Sequence, residues 1–278
     1  MNNFILSNSE KSIFICSTGR SGSSFFIDLM YNTGYLGYPK EYFGNQRRII
    51  RQEETKTKTF SDYLDFLNTN ALTENKIFSS KLFPDDLQDI KENLLNAGFS
   101  QWNNTSDFQI LEQFSPKVYF IWLTRRNKIK QALSLYRSFA TNQWRYTETS
   151  KEKKQADAPS FSDIAYYIQY VVSLDALWSD FFKQNNLLPL VLVYEDILLN
   201  PRLALENVFN FTEVALPENL TVKTEHRKLG DDKNELWYEN YLENFRQLER
   251  QKRVQRQRKV EVIRFFQKIY YKVKSLKR

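Results

Sequence analysis

Cysteine and histidine are almost absent from this chain, which holds one of each, Cys16 and His226. A single cysteine excludes a disulfide within the chain, and so few Cys and His side chains exclude a zinc site of the usual four-ligand kind. The lack of disulfides is consistent with a reducing compartment, and we expect a cytoplasmic protein that requires no metal.

Long apolar runs are missing as well. No stretch reaches the ~18 apolar residues that a membrane-spanning helix needs. Residues 1–11 are polar and lack the basic start and apolar core of a secretory signal. We therefore expect a soluble chain, attached to a membrane surface at most, with the inner face of the membrane as the alternative location.

Aromatic residues, in contrast, are abundant, with 22 Phe, 16 Tyr and 5 Trp among 278 residues. Short apolar runs predict strands, and segments with helical spacing separate them. Strands separated by helices predict an α/β fold of the P-loop-like, three-layer kind, with a central, mainly parallel sheet flanked by helices. The predicted strands are 12–16, 77–83, 118–123 and 190–194, and the predicted helices are 24–31, 60–67, 85–97, 127–139, 161–185 and 201–211.

Positive charge is concentrated at the end of the chain. The net charge is +7, but residues 246–278 hold 13 Lys and Arg against 2 Asp and Glu, whereas the remainder holds 27 against 31. This contrast predicts a domain over 1–245 and a basic tail over 246–278.

Apolar residues recur in the tail at spacings of four and three, opposite basic ones, which is typical of an amphipathic helix at a lipid interface. Docking to an anionic membrane and packing on the domain or self-association are both consistent with this pattern. Nucleic acid is disfavoured as a partner, since the net charge of the main domain would repel a polyanion. The apolar positions are Val262, Phe266, Ile269, Val273 and Leu276, and the basic ones are Arg264, Lys268 and Lys272.

The first candidate site is the loop between the first strand and its helix, Thr18-Gly19-Arg20-Ser21-Gly22-Ser23-Ser24. Its glycines allow a tight turn with inward N–H groups, and the following helix adds partial positive charge. Arg20 offers a cationic fork, and the serines offer hydroxyl donors. The loop suits a phosphate-type anion, but it lacks the lysine of a Walker A sequence.

Two further motifs bear chemistry. Arg125 and Arg126 leave the strand 118–123 at its carboxyl end, where α/β sheets place ligands, and Ser134 follows on the next helix. We expect one of the two arginines to be solvated and the other to hold a second phosphate. Glu41, within Tyr38-Pro39-Lys40-Glu41-Tyr42-Phe43, is a candidate general base whose pKa burial beside aromatics would raise.

Three motifs, taken in order, resemble the bacterial trehalose 2-sulfotransferase-like family. They are Cys-Ser-Thr-Gly-Arg-Ser-Gly-Ser-Ser, Thr-Gly-Tyr-Leu-Gly-Tyr-Pro-Lys-Glu-Tyr-Phe and Trp-Leu-Thr-Arg-Arg-Asn-Lys-Ile-Lys-Gln-Ala-Leu-Ser. The family belongs to the sulfotransferases that use 3'-phosphoadenosine 5'-phosphosulfate (PAPS). The resemblance implies sulfuryl transfer from PAPS to a hydroxyl of a carbohydrate or glycolipid acceptor.

The resemblance also implies roles for individual residues. Arg20 to Ser24 correspond to the loop that holds the 5'-phosphosulfate, and Arg125 or Arg126 with Ser134 to the pair that holds the 3'-phosphate. Glu41 corresponds to the general base, and the absence of a histidine near the first motif agrees with that role. Lys81 matches a family lysine in a similar strand context without an assigned role.

Two rival functions remain open at the level of sequence. Tyr194-Glu195-Asp196 could hold Mg²⁺ after the fourth strand, which would suit a P-loop kinase or nucleotide hydrolase. A non-enzymatic module that binds polyanions through the basic tail is the other rival. The identity of the acceptor and the oligomeric state, a homo-oligomer included, are not determined by these motifs.

Overall fold

A four-stranded sheet organises the computed structural model, which describes residues 4–144, 155–224 and 232–276. The strands are β1 (Lys11–Ser17), β2 (Ile77–Leu82), β3 (Lys117–Thr124) and β4 (Leu190–Val193). All pairs are parallel, in the order β2-β1-β3-β4.

The register of the strands brings their carboxyl ends to one edge of the sheet. Cys16 of β1 lies opposite Leu82 of β2 and Trp122 of β3. Thr124, the last residue of β3, pairs with Val193, the last residue of β4. The loops that follow the strands therefore meet at this carboxyl edge, where ligands bind in open α/β sheets.

Ten α-helices and one short 3-10 helix (Ser100–Trp102) connect and flank the strands within the described ranges. The helices are α1 (Ser23–Tyr31), α2 (Asn45–Thr55), α3 (Phe60–Asn70), α4 (Asp86–Asn96), α5 (Asp107–Glu112), α6 (Lys128–Thr141), α7 (Phe161–Gln184), α8 (Tyr194–Leu199), α9 (Pro201–Phe211) and α10 (Asp232–Leu276).

Both faces of the sheet are covered. Phe14 of β1 joins an aromatic core with Trp178 of α7, whereas Ile13 and Ile15 face a second core that includes Leu29 and Leu205. Burial on both faces explains why the strands are continuous apolar runs rather than alternating ones. The predicted three-layer α/β class is confirmed.

Several local expectations differ from the structure. Tyr194 is not the end of a strand but the first residue of α8, since Val193 is the N-cap of that helix. Aromatic residues of this kind are usually core residues, and Trp178 is fully buried, whereas Trp144 is 42% exposed. The sequence did not predict α2, because none of its residues is buried and no apolar face marks it.

The tail forms the end of α10, which has 45 residues and crosses positions 245 and 246 without a break. Its first turns pack on α6 and α7 through Trp237 and Tyr241. Among the described residues, no helix has the length and hydropathy that crossing a bilayer requires.

Candidate active site

The loop between β1 and α1 turns on Gly22, which has a φ of 89° and is the N-cap of α1. A side chain at this position would place its Cβ 2.0 Å from Cδ2 of Tyr194. Only glycine therefore allows both the left-handed backbone and the contact with Tyr194. Ser21 is buried, and its Oγ has no hydrogen-bond partner in the described part of the chain. Ser23 is buried and Ser24 half-buried in the first turn of the helix.

Arg20 connects this loop to α6 and to the segment that follows α6. Its Nε donates a hydrogen bond to Oγ of Ser134 at 3.0 Å, and its Nη1 donates to the carbonyl oxygen of Trp144 at 2.5 Å. Arg20 and Ser134 were predicted in different motifs, and the structure brings them into direct contact. Within the described ranges, no carboxylate pairs with Arg20.

The two arginines that follow β3, Arg125 and Arg126, contact different parts of the structure. Arg125 donates from Nη1 to the carbonyl oxygen of Arg20 at 3.4 Å and lies over the ring of Tyr194, 5.0 Å from its centroid. Arg126 is exposed, and its Nη2 donates to both carboxylate oxygens of Asp196, at 3.0 and 2.8 Å. Arg125 thus joins the loop, whereas Arg126 is the solvated arginine of the pair.

Two guanidinium groups therefore share one partly buried region. Burial, and after it the charge of Arg125, lowers the pKa of Arg20 to about 10. Burial also lowers the pKa of Arg125, whose Nε lies 3.6 Å from Glu195 Oε1, beyond hydrogen-bond distance. Both groups remain protonated at neutral pH, and their mutual repulsion favours an anion between them.

Glu41 lies beside β2, one strand away from the loop. Its Oε1 accepts a hydrogen bond from Nζ of Lys81 at 2.7 Å, and its Oε2 is 3.7 Å from Nε of Arg47. Lys81 is 4% exposed and its ammonium lies 4.4 Å from the ring centroid of Phe83. Lys81 is paired in register with Ile15 of β1, so this ion pair belongs to the carboxyl half of the sheet.

A buried polar network behind the loop was not predicted. Asp175 of α7 accepts hydrogen bonds from Thr18 Oγ1 at 3.2 Å, from Thr124 Oγ1 at 2.9 Å and from Nζ of Lys128. Gln131 of α6 also donates to Thr18 Oγ1, at 2.9 Å. These bonds fix the start of the loop to the end of β3 and to two helices.

Two details extend this network. Gln131 Nε2 donates a second hydrogen bond, at 2.8 Å, to the carbonyl oxygen of Gly19. A side chain at position 19 would place its Cβ only 3.1 Å from Leu135. Asp175 follows Val171 and precedes Trp178 on the buried face of α7. An acid at an apolar position of that helix is the sequence signal that could have revealed the network, because buried carboxylates require partners.

The acidic residues after β4 are engaged by the turn between β3 and α6. Glu195 accepts hydrogen bonds from the backbone N–H groups of Arg126 at 2.9 Å and Asn127 at 3.2 Å. Asp196 pairs with the side chain of Arg126. In the ranges that the structure covers, no group of three metal-ligating side chains occurs. His226, the lone histidine, lies outside the described residues.

Comparison with known proteins agrees with the motifs. A sequence profile described as Stf0 sulphotransferase matches residues 12–244. The chain belongs to this family. The trehalose 2-sulfotransferase-like resemblance is therefore confirmed, and family membership supports sulfuryl transfer as the general activity of this sulfotransferase.

The chain was also compared with curated proteins and with solved structures. No curated protein matches the sequence of this sulfotransferase. Among solved structures, the sulfotransferase domain from the Synechococcus PCC 7002 olefin synthase is 15% identical, with 82% of each chain covered and a TM-score of 0.43.

Proposed function

We propose that this sulfotransferase moves a sulfuryl group from PAPS to a hydroxyl of a carbohydrate or glycolipid acceptor. The observation that carries the proposal is the convergence of Arg20 and Arg125 at the carboxyl edge of the sheet. PAPS has two anionic ends, the 5'-phosphosulfate and the 3'-phosphate, and a pair of adjacent guanidinium groups suits a ligand with two such ends.

The loop residues supply the binding groups for the donor. The N-terminus of α1 and the hydroxyl of Ser21, which has no partner among the described residues, offer donors to a phosphate oxygen. Arg20 stabilises the charge that develops on the leaving 5'-phosphate. In comparable sites a preorganised donor of this kind contributes ~2.7–4 kcal/mol to the transition state.

Glu41 is the proposed general base. It would take the proton of the acceptor hydroxyl as the new O–S bond forms and the bond from sulfur to the 5'-phosphate oxygen breaks. Such a step contributes about 10²–10⁴-fold to the rate. Lys81 holds the carboxylate in place through Oε1, and Arg47 does so through Oε2.

A row of aromatic side chains supports a sugar-like acceptor. Trp144, Phe139, Tyr167, Tyr166 and Tyr170 follow one another with ring centroids 4.9, 5.9, 5.3 and 6.4 Å apart. Four of them are more than two-fifths exposed, all except Tyr167. Contiguous exposed aromatic rings are typical of an interaction surface.

One end of this aromatic row adjoins Arg20 of the β1–α1 loop. At this end, the carbonyl oxygen of Trp144 accepts from Arg20. At the other end, burial and the charge of Asp85 raise the pKa of Tyr170. Rings that carry hydroxyls suit the alternating apolar and polar surface of a sugar.

The proposal is tested by incubating the full chain with PAPS labelled in the sulfuryl group and a panel of sugars and glycolipids. We expect label on at least one acceptor, with release of equimolar 3'-phosphoadenosine 5'-phosphate and no requirement for Mg²⁺. A melting-temperature shift with ATP that depends on Mg²⁺, and none with PAPS, would instead support the kinase interpretation.

A further inference from the structure

The helix α10 leaves the domain soon after its start. Trp237 and Tyr241 are buried against α6 and α7, and Tyr241 stacks on Phe161 with centroids 4.8 Å apart. From Glu243 to Phe265, every residue except Glu249 is exposed. Packing on the domain, one of the expectations for the tail, is therefore wrong for this part of the helix.

The part of α10 that follows Tyr241 is long and strongly basic. Residues 242–276 extend about 50 Å at 1.5 Å per residue. Residues 246–278 carry a net charge of +11, with Lys and Arg placed along their whole length. Two acidic residues of α10, Glu243 and Glu249, form ion pairs with Arg246 and Lys252 of the same helix.

The last four turns of α10 have two different sides. At 100° per residue, the apolar and aromatic positions of 262–276 fall in one arc of about 160°, and the basic positions fall outside it. The arc holds Val262, Ile263, Phe265, Phe266, Ile269, Tyr270, Val273 and Leu276, and the other side holds Arg264, Gln267, Lys268, Tyr271, Lys272, Lys274 and Ser275.

We propose that residues 262–276 of α10 dock this protein to an anionic lipid bilayer, with the apolar arc at the level of the headgroups. The bilayer is the occupant that uses both features, since its surface charge complements the basic side and its interior takes the apolar arc. Self-association would bring together two segments of net charge +11, and a nucleic acid would leave the apolar arc in water. The inference does not depend on the donor or acceptor of the reaction.

The test is co-sedimentation of the full chain with two kinds of vesicle, phosphatidylcholine alone and phosphatidylcholine with about 30% phosphatidylglycerol, which supplies a negative surface potential. We expect pelleting with the anionic vesicles, much less with the neutral ones, and a decrease at high salt because screening weakens the attraction to the surface.

Neighbouring tyrosines supply a matched pair of variants. Tyr270→Gln changes the apolar arc, whereas Tyr271→Gln makes the same change on the basic side, without altering the charge. We expect the double variant Phe266→Gln/Ile269→Gln to lose at least about tenfold of the partition coefficient, Tyr270→Gln to lose several-fold, and Tyr271→Gln to stay within about threefold of the parent.

Three results would overturn the proposal. They are absence of pelleting with anionic vesicles, equal pelleting of all the variants, and loss of an oligomer in the arc variants when no vesicles are present. Circular dichroism and sulfotransferase activity without vesicles confirm that each variant is folded, so a loss of pelleting cannot be attributed to misfolding.

Discussion

Arg125 donates a hydrogen bond from Nη1 to the backbone carbonyl oxygen of Arg20 at 3.4 Å, although the two residues are 105 positions apart. The contact arises because β1 and β3 are paired in parallel, so that the loop after one strand lies beside the end of the other. It places two cations in one region of the carboxyl edge. The donor site that we propose depends on this relationship.

The glycine at the start of α1 gives a prediction about stability. Gly22 and Gly98 have almost the same φ, 89° and 90°. An added Cβ meets Tyr194 at Gly22, but at Gly98 it meets no described atom within 4 Å. We expect Gly98→Ala to lower the free energy of unfolding by about 1–2 kcal/mol through backbone strain. Gly22→Ala should cost about 1–3 kcal/mol more through the clash. Urea unfolding measures both, and equal losses would show that Tyr194 does not constrain the loop.

Glu41 gives a prediction that separates catalysis from binding. Glu41→Gln keeps the size of the side chain but removes its basicity, so we expect kcat to fall about 10²–10⁴-fold. The affinity for 3'-phosphoadenosine 5'-phosphate should stay unchanged, since Glu41 contacts Lys81 and Arg47 rather than the loop. Single-turnover assays and calorimetry provide the two measurements. Normal turnover by the variant would eliminate Glu41 as the base.

The lowered pKa of Arg20 predicts a pH dependence of donor binding. The guanidinium is charged at pH 7–9 and loses its proton as the pH rises through about 10, its pKa in the free protein. Because an anion binds the charged form, the affinity for 3'-phosphoadenosine 5'-phosphate should be level up to pH 9 and fall above about 10. Arg20→Ala should bind weakly with a flatter profile. An affinity that is constant to pH 10.5 in the folded parent protein would contradict this.

The aromatic row predicts an effect on the acceptor alone. Tyr35 is a matched control for Tyr166, because both are exposed. The carbonyl oxygen of Tyr35 accepts a hydrogen bond from Asn75, which lies just before the start of β2, so Tyr35 is at the opposite edge of the sheet from the site. Tyr166→Ala should raise the KM for the acceptor by about tenfold through loss of ring contact, with the KM for PAPS unchanged. Tyr35→Ala should change neither constant. Steady-state kinetics with an acceptor found in the panel of sugars and glycolipids measure both constants. Equal effects of the two variants would show that the aromatic row is not part of the acceptor site.

The sequence allowed the prediction of most elements of the sheet because parallel strands are apolar throughout and short. The end of β4 was misplaced because Tyr194 continues the apolar pattern while already belonging to α8. The helix α2 could not be predicted from apolar periodicity, since its half-buried face carries Arg48, Arg51 and Gln52 rather than apolar side chains. The continuity of α10 through position 245 was likewise hidden, because charge composition changes there and backbone structure does not.

For the site, local motifs indicated which residues matter but not how they pair. The β1–α1 loop was visible because its glycines, serines and arginine are consecutive. The contact of Arg20 with Ser134 spans 114 positions and depends on strand order, which spacing alone does not give. The choice between Arg125 and Arg126 depends on α8, which supplies Asp196 to the second of them.

The most direct test of the central claim is calorimetric titration of 3'-phosphoadenosine 5'-phosphate into Arg20→Ala, Arg125→Ala and Arg126→Ala. The first two variants should each lose about 10- to 150-fold in affinity, which corresponds to the free energy that a hydrogen bond to a charged group contributes. Arg126→Ala should stay within about threefold of the parent protein, because an exposed ion pair contributes little. Full affinity in Arg125→Ala, or an equally large loss in Arg126→Ala, would contradict the account.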